Sequence, residues 1–152
     1  MSNSGADSSV SNAELAAVFR ECAHVLLYQG ASWFKVRAYL GAAELLDGAA
    51  EPVVNLSDVE LKALSGVGKA VFSKIREYQQ TRTFNLLARV RQVPEPTRRM
   101  LAAGLPPAAV RALEGELEIR SLEALQSAHD ASALALERLP KRHRAAVRAF
   151  LS

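Results

Sequence analysis

Ser65-Gly66-Val67-Gly68-Lys69 is the stretch of this 152-residue sequence whose residue types and spacing suit a definite chemistry. Two glycines one residue apart permit positive φ and let another backbone come close without meeting a Cβ. An apolar residue between them, Val67, can insert between two helices and fix their crossing. The turn amides and the N-terminus of a following helix then point outward together, an arrangement suited to a phosphate oxygen. Lys69 and Ala70 would stand at that N-terminus, the lysine adding charge. The spacing is not that of a nucleotide P-loop, which needs more residues between its glycines and a Gly-Lys-Ser/Thr ending. The alternative is an ordinary turn between two helices, with no ligand.

Other residues with chemical potential lack partners in sequence. His24, His129 and His143 are far apart and have no metal-ligand spacing with Cys22. Asp7, Asp47, Asp58 and Asp130 are scattered, which does not suit two-metal catalysis. Trp33 is expected to be a packing anchor, with base stacking as the alternative. Cys22, on an apolar stripe, is expected in the core.

The elements that must position the Gly-Val-Gly turn are helices. Ser57 and Glu60 form a capping-box pair opening a short helix from Asp58 to Leu64. A longer one, with Val71, Ile75 and Tyr78 on one face, should follow the turn through Thr81. Upstream, Ser11 or Asn12 can cap a helix stopped at Gly30, and a second should run from about Trp33 to Leu46. Downstream, helices are expected from Phe84 to Arg91, Arg98 to Ala103, Pro106 to Leu117, Leu122 to His129, Ala133 to Arg138 (capped by Ser132) and Lys141 to Leu151. No segment alternates as a strand would. The turn has two weaker echoes: Gly104-Leu105-Pro106, where proline replaces the second glycine and removes one donor, and Leu139-Pro140-Lys141. The fold class is therefore all-α, short helices in tandem helix-hairpin-helix units.

Composition agrees. The chain is 49% hydrophobic and only 6% aromatic, with 27 Ala and 21 Leu, a helix-favouring mixture. One cysteine excludes an internal disulfide and suits a reducing cytosol. No apolar run reaches membrane-spanning length, and residues 1–10 read as a polar tail without a signal peptide. The net charge of +3 is unevenly placed. Residues 1–60 carry three Lys and Arg against eight Asp and Glu, whereas residues 61–152 carry sixteen against eight. Arg138, Lys141, Arg142, Arg144 and Arg148 form a cluster without acid. Such asymmetry is the footprint of contact with a polyanion, or of a solvated arginine-rich surface.

Taken in order, these parts resemble the N-terminal region of family X DNA polymerases, the polymerase-beta-like lyase domain and its following hairpin subdomain. The resemblance rests on Lys35-Val36-Arg37-Ala38-Tyr39 with Ala42-Ala43, on the Leu64–Ile75 hairpin, and on Tyr78-Gln79-Gln80-Thr81. It continues more loosely through Glu116–Leu125 and Arg144–Phe150. It implies a lyase-like helical domain over 11–92 and a second subdomain with degenerate hairpins over 93–152. The polymerase palm does not follow within these residues, so no polymerase activity is expected.

The resemblance further implies a DNA partner, single-stranded or gapped duplex, gripped without sequence preference in DNA repair or processing. Gly66, Gly68, Lys69 and Ala70 would meet one backbone phosphate. Lys35, Tyr39 and Lys74 would frame a pocket for a 5′-phosphate, with Lys69 and Arg76 adding positive potential. Arg142 and Arg144 are candidate contacts in the third turn. The carbonyls of Lys62, Leu64 and Val67 map onto the family's monovalent-cation site, for Na+ or K+. Lys74 also falls on the position of the lyase nucleophile, which forms a Schiff base with an abasic sugar. Against that activity, Phe34, Ala70 and Ser73 stand where lyase-active members often carry histidine, lysine and an acid. Two alternatives thus accompany DNA binding: an abasic-site lyase, and an adaptor whose hairpins bind a protein partner. The expected location is cytoplasmic and nucleoid-associated, with no membrane contact.

Overall fold

Ser11 begins the first regular element: its Oγ accepts the Glu14 amide hydrogen at 3.0 Å, capping the helix α1, Asn12–Tyr28. The computed structural model describes residues 9–152, and every regular element among them is helical. After α1 come α2 (Trp33–Gly48), a 3₁₀ turn (Val53–Asn55), α3 (Asp58–Ala63), α4 (Lys69–Thr81) and α5 (Asn85–Val90). Then follow α6 (Glu95–Ala102), α7 (Pro107–Leu117), α8 (Leu122–Asp130), a second 3₁₀ turn (Leu136–Arg138) and α9 (Lys141–Leu151). The expected tail and Asp7 fall largely or wholly on residues 1–8, outside the described residues, while Val10 is fully buried.

The described chain divides into two compact units. One joins the residues up to Ala23 with Ser32–Val90; the other joins His24–Ala31 with Arg91–Ser152. The first is built on an aromatic cluster. Phe19 stacks on Tyr39 at 6.2 Å and on Phe84 at 6.1 Å, and Tyr78 meets Phe84 edge-on at 6.4 Å. Such pairs add about 0.5–1.5 kcal/mol beyond the apolar area they bury. The hydroxyl of the buried Tyr78 donates to the Glu14 carboxylate at 2.6 Å, so that polar atom is satisfied. Leu15, Val36, Leu46, Leu61, Ile75 and Leu87 close the core, and Cys22 is buried as expected.

In the second unit, Met100, Leu105, Val110, Leu113, Leu125 and Val147 are buried. Beside them lies a polar triad: the hydroxyls of Tyr28 and Thr97 both donate to the Glu114 carboxylate, Thr97 at 2.5 Å while only 4% exposed. All three turns follow one plan. Val67, Leu105 and Leu139 are buried, and each directly precedes the N-cap of the next helix, Gly68, Pro106 and Pro140.

Several expected boundaries move. Ser132 does not cap a helix: it has φ +55° and its backbone N–H donates to the His129 carbonyl at the end of α8, and the expected helix Ala133–Arg138 is reduced to the 3₁₀ turn Leu136–Arg138. Helix α6 begins at Glu95, because Pro96 is tolerated inside a first turn where its missing N–H is not needed. Trp33 is not a packing anchor, being 56% exposed.

Candidate nucleic-acid interface

The hairpin is assembled from both sides. Ser57 Oγ accepts the Glu60 amide hydrogen at 3.1 Å and Glu60 Oε1 accepts that of Ser57 at 2.9 Å, completing the expected capping box at the start of α3. The Ser57 backbone amide, and after it the Ser57 side chain, hold the exposed Glu60 carboxyl below the usual carboxylate range. At the other end of α3, the Val67 amide donates to the Leu64 carbonyl at 3.1 Å and the Val67 side chain is 8% exposed. Gly66 takes φ +95°, open to glycine at low cost. Gly68 is the N-cap of α4 and offers no side-chain cap. The first intrahelical donor to reach the cap is Phe72, bonded to the Gly68 carbonyl at 2.9 Å. The amides of Lys69, Ala70 and Val71 are therefore open helix-terminal donors. The first turn of α4 contains no acid, and Gly66, Gly68, Lys69 and Ala70 are exposed. Positive helix dipole, open amides and a lysine coincide there.

Helix α2 packs against α4, and this brings together two of the remaining expected residues. The Lys74 ammonium lies 5.6 Å from the centre of the Tyr39 ring and 6.0 Å from that of Phe84. Lys74 and Tyr39 are half-buried, whereas Lys35, one turn before Tyr39 on α2, is exposed. Arg142 and Arg144 stand on α9, in the other unit. The carbonyls of Lys62 and Val67 accept no backbone hydrogen bond outside the helices, and that of Leu64 accepts one, from Val67. An all-oxygen donor set of this kind fits a hard cation.

Arg76 departs from expectation. Its guanidinium donates to Asp58 at 3.0 Å, to the Leu56 carbonyl at 2.6 Å, to the Val54 carbonyl at 3.3 Å and to Gln79 at 3.0 Å. It braces the loop ahead of α3, and its charge is matched by Asp58. Beside it opens a cleft of about 740 Å³ whose wall includes Asn55, Phe72 and Gln80. The Phe72 ring itself lies between two cations, Lys62 at 4.7 Å and Arg76 at 5.7 Å.

Sequence reasoning did not foresee the exposure of the first turn of α2. Trp33 and Phe34 are exposed, Phe34 to 77%, and the Arg37 guanidinium covers the Phe34 ring at 5.1 Å. Ser32, the N-cap of α2, makes no side-chain bond to the helix, and the first turn holds no acid. Two large aromatic faces beside Lys35 are an unusual exposure for a solvated surface. The signal lay in the run Trp33-Phe34-Lys35, aromatic pair then cation. No cluster of metal-ligating side chains occurs among the described residues, and none of their helices is long and apolar enough to cross a membrane.

Residues 10–84 match the family described as helix-hairpin-helix domain, and no curated protein matches the chain. The match runs from the start of α1 through Phe84 and contains the whole Gly66–Lys69 turn. The chain thus carries a helix-hairpin-helix domain, and domains of this kind generally bind DNA without sequence preference.

Proposed function

We propose that this chain is a sequence-independent DNA-binding module of DNA repair or processing. One observation carries the proposal: the buried Val67 turns the chain so that the open N-terminus of α4, with Lys69, faces solvent, with no acid in its first turn. In this reading the amides at Lys69 and Ala70 hold one backbone phosphate, with Gly66 and Gly68 leaving room for its approach. Lys35, Tyr39 and Lys74 take a neighbouring phosphate, such as the 5′-phosphate at a gap or nick. The exposed Trp33 and Phe34 favour DNA with unpaired bases, on which they can stack. The resemblance to the N-terminal region of family X polymerases supports the same assignment. The carbonyls of Lys62, Leu64 and Val67 would hold a monovalent cation, which would neutralise dipoles at the turn.

The test is a binding panel of single-stranded, duplex and 5′-phosphorylated gapped DNA at several salt concentrations. Affinity should fall steeply with salt, vary little between sequences, and be greatest for the gapped, phosphorylated substrate. Affinity indifferent to salt, or dependent on one sequence, overturns the proposal.

The position of Lys74 favours a second reading, an abasic-site lyase. Its amine, seated against two aromatic rings, would add to the C1′ aldehyde of a 5′-deoxyribose phosphate and expel water to form an iminium. Loss of a C2′ proton to a base would then break the C3′–O bond and release the 3′ phosphate, and hydrolysis of the imine would return the lysine. Borohydride reduction should trap the intact protein on such DNA and fail with Lys74→Ala. Absence of an adduct, or trapping unchanged by that substitution, removes this reading.

A further inference from the structure

Helix α9 repeats, in the second unit, the features that suit the N-terminus of α4 to a phosphate. Leu139, buried to 3% exposure, occupies the turn as Val67 does, and Pro140 is the N-cap. The amides of His143 and Arg144 both bond the Pro140 carbonyl, at 2.9 and 3.0 Å, so those of Lys141 and Arg142 are the open donors of the first turn. The orientation of the helix is set by His143 and Val147, both buried, with α9 packed on α7. On the opposite face stand Lys141, Arg144 and Arg148, spaced i, i+3 and i+7, with Ala145 between them. Lys141 and Arg148 are exposed and Arg144 half-exposed, and none has a carboxylate within ion-pair distance among the described residues.

We propose that this face of α9 is a second phosphate-contacting surface, specific to the backbone of duplex nucleic acid and separate from the Gly66–Lys69 turn. The three cations span about 10.5 Å of helix. Along one strand of a duplex neighbouring phosphates rise about 3.4 Å each along the axis, so successive phosphates lie within reach of these three long side chains. The stripe carries only the small Ala145 besides its cations, which lets a phosphate backbone lie against the helix. Between Lys141 and Arg148 this face has no aromatic side chain, and no aliphatic one larger than alanine, to anchor a protein partner at its centre. The inference shares with the hairpin reading the premise that the ligand is nucleic acid, but neither site requires the other.

The test uses the intact chain and fluorescence anisotropy with a mixed-sequence duplex between 50 and 200 mM salt. Replacing Lys141, Arg144 and Arg148 together by Ala should flatten the slope of log affinity against log salt by about 2.7. The fourfold rise in salt would then cost about 40-fold less affinity than in the parent. Arg148→Ala alone should flatten it by about 0.9. Ala145→Glu, which keeps every cation and introduces a good helix former, should weaken duplex binding with an unchanged far-UV dichroism spectrum. Lys69→Ala, measured in parallel, reports the hairpin. If Lys69→Ala flattens the slope and the triple variant does not, the α9 surface is refuted and the hairpin reading stands. The reverse pattern supports α9 and refutes the hairpin. Capture of an acidic polypeptide through α9, with the duplex slope untouched by the triple variant, also overturns the proposal.

Discussion

The ammonium of Lys74 lies 5.6 Å from the centre of the Tyr39 ring, across the packing of α4 on α2. Tyr39 in turn stacks on Phe19, which stacks on Phe84, and Phe84 flanks the same ammonium at 6.0 Å. The lysine is thus aimed by a rigid aromatic cluster rather than by a carboxylate. Among the described residues no acid forms an ion pair with it, and its side chain is half-buried. A cation held this way is available to an anion arriving from outside.

Lys74→Met should separate charge from packing. The stem stays apolar and of similar length, so stability should fall only by the lost cation–π contact, about 0.5–2 kcal/mol. Binding to gapped DNA should lose most of its preference for a 5′-phosphate, while binding to unphosphorylated duplex falls less. Competition between the two DNAs, differing only in that phosphate, measures the effect directly. An undiminished preference would place the phosphate elsewhere.

The two hairpin glycines should respond differently to alanine. Gly66 has φ +95°, and a Cβ there would also stand 3.4 Å from the Leu45 side chain. Gly66→Ala is expected to destabilise by about 1–3 kcal/mol, through backbone strain. Gly68 has φ −82°, and a Cβ meets nothing within 4 Å. Gly68→Ala should therefore keep the melting temperature, yet place a methyl beside the open amides of α4 and weaken DNA binding. Thermal melts and binding isotherms on the pair would show one defect in folding and the other in recognition.

Much of this hairpin was legible because its determinants are local. Ser57 and Glu60 are three residues apart, Gly66 and Gly68 two, and backbone geometry allows few alternatives at those spacings. Ser132 shows the limit of local reading. A serine ahead of an apolar run can be an N-cap, yet here it adopts the left-handed conformation that closes the preceding helix. Arg76 looked like free charge because its partners Asp58 and Leu56 lie 18 and 20 residues away. Trp33 was expected to be a packing anchor and is exposed for a related reason. Helical periodicity says which residues share a face, and only tertiary packing decides whether that face is covered.

Trp33 makes the aromatic pair observable, since it is the sole tryptophan and is 56% exposed. Its fluorescence should be quenched on titration with single-stranded or gapped DNA and change little with blunt duplex, where no unpaired base is offered. Phe34→Ala should weaken single-strand affinity by the equivalent of about 1–3 kcal/mol, the usual worth of one stacked base. Since the Phe34 ring is largely exposed, stability should hold. Equal quenching by duplex and single strand would rule out stacking.

In the second unit, the Tyr28 hydroxyl and the Glu114 carboxylate form a hydrogen bond between residues 86 apart in sequence. Burial pushes the Tyr28 phenol above its ordinary value of 10.0, and the bond to Glu114, with that carboxylate's charge, raises it further. The folded state therefore holds the phenolic proton more tightly than the unfolded chain does. The stability this contributes is fully present below pH 10 and is lost as pH rises through the raised folded-state value. Tyr28→Phe removes the donor and leaves Glu114 with the Thr97 hydroxyl bond. That substitution should cost about 1.5–3 kcal/mol at neutral pH, as expected for a hydrogen bond to a charged group. The deficit should shrink as pH climbs above 10, because the parent surrenders the same interaction while the variant has no phenol to titrate. Urea unfolding of both proteins at pH 8 and pH 11 measures this directly. A deficit of the same size at both values would show that the Tyr28 phenol titrates alike in the folded and unfolded chain, and would remove the pH linkage.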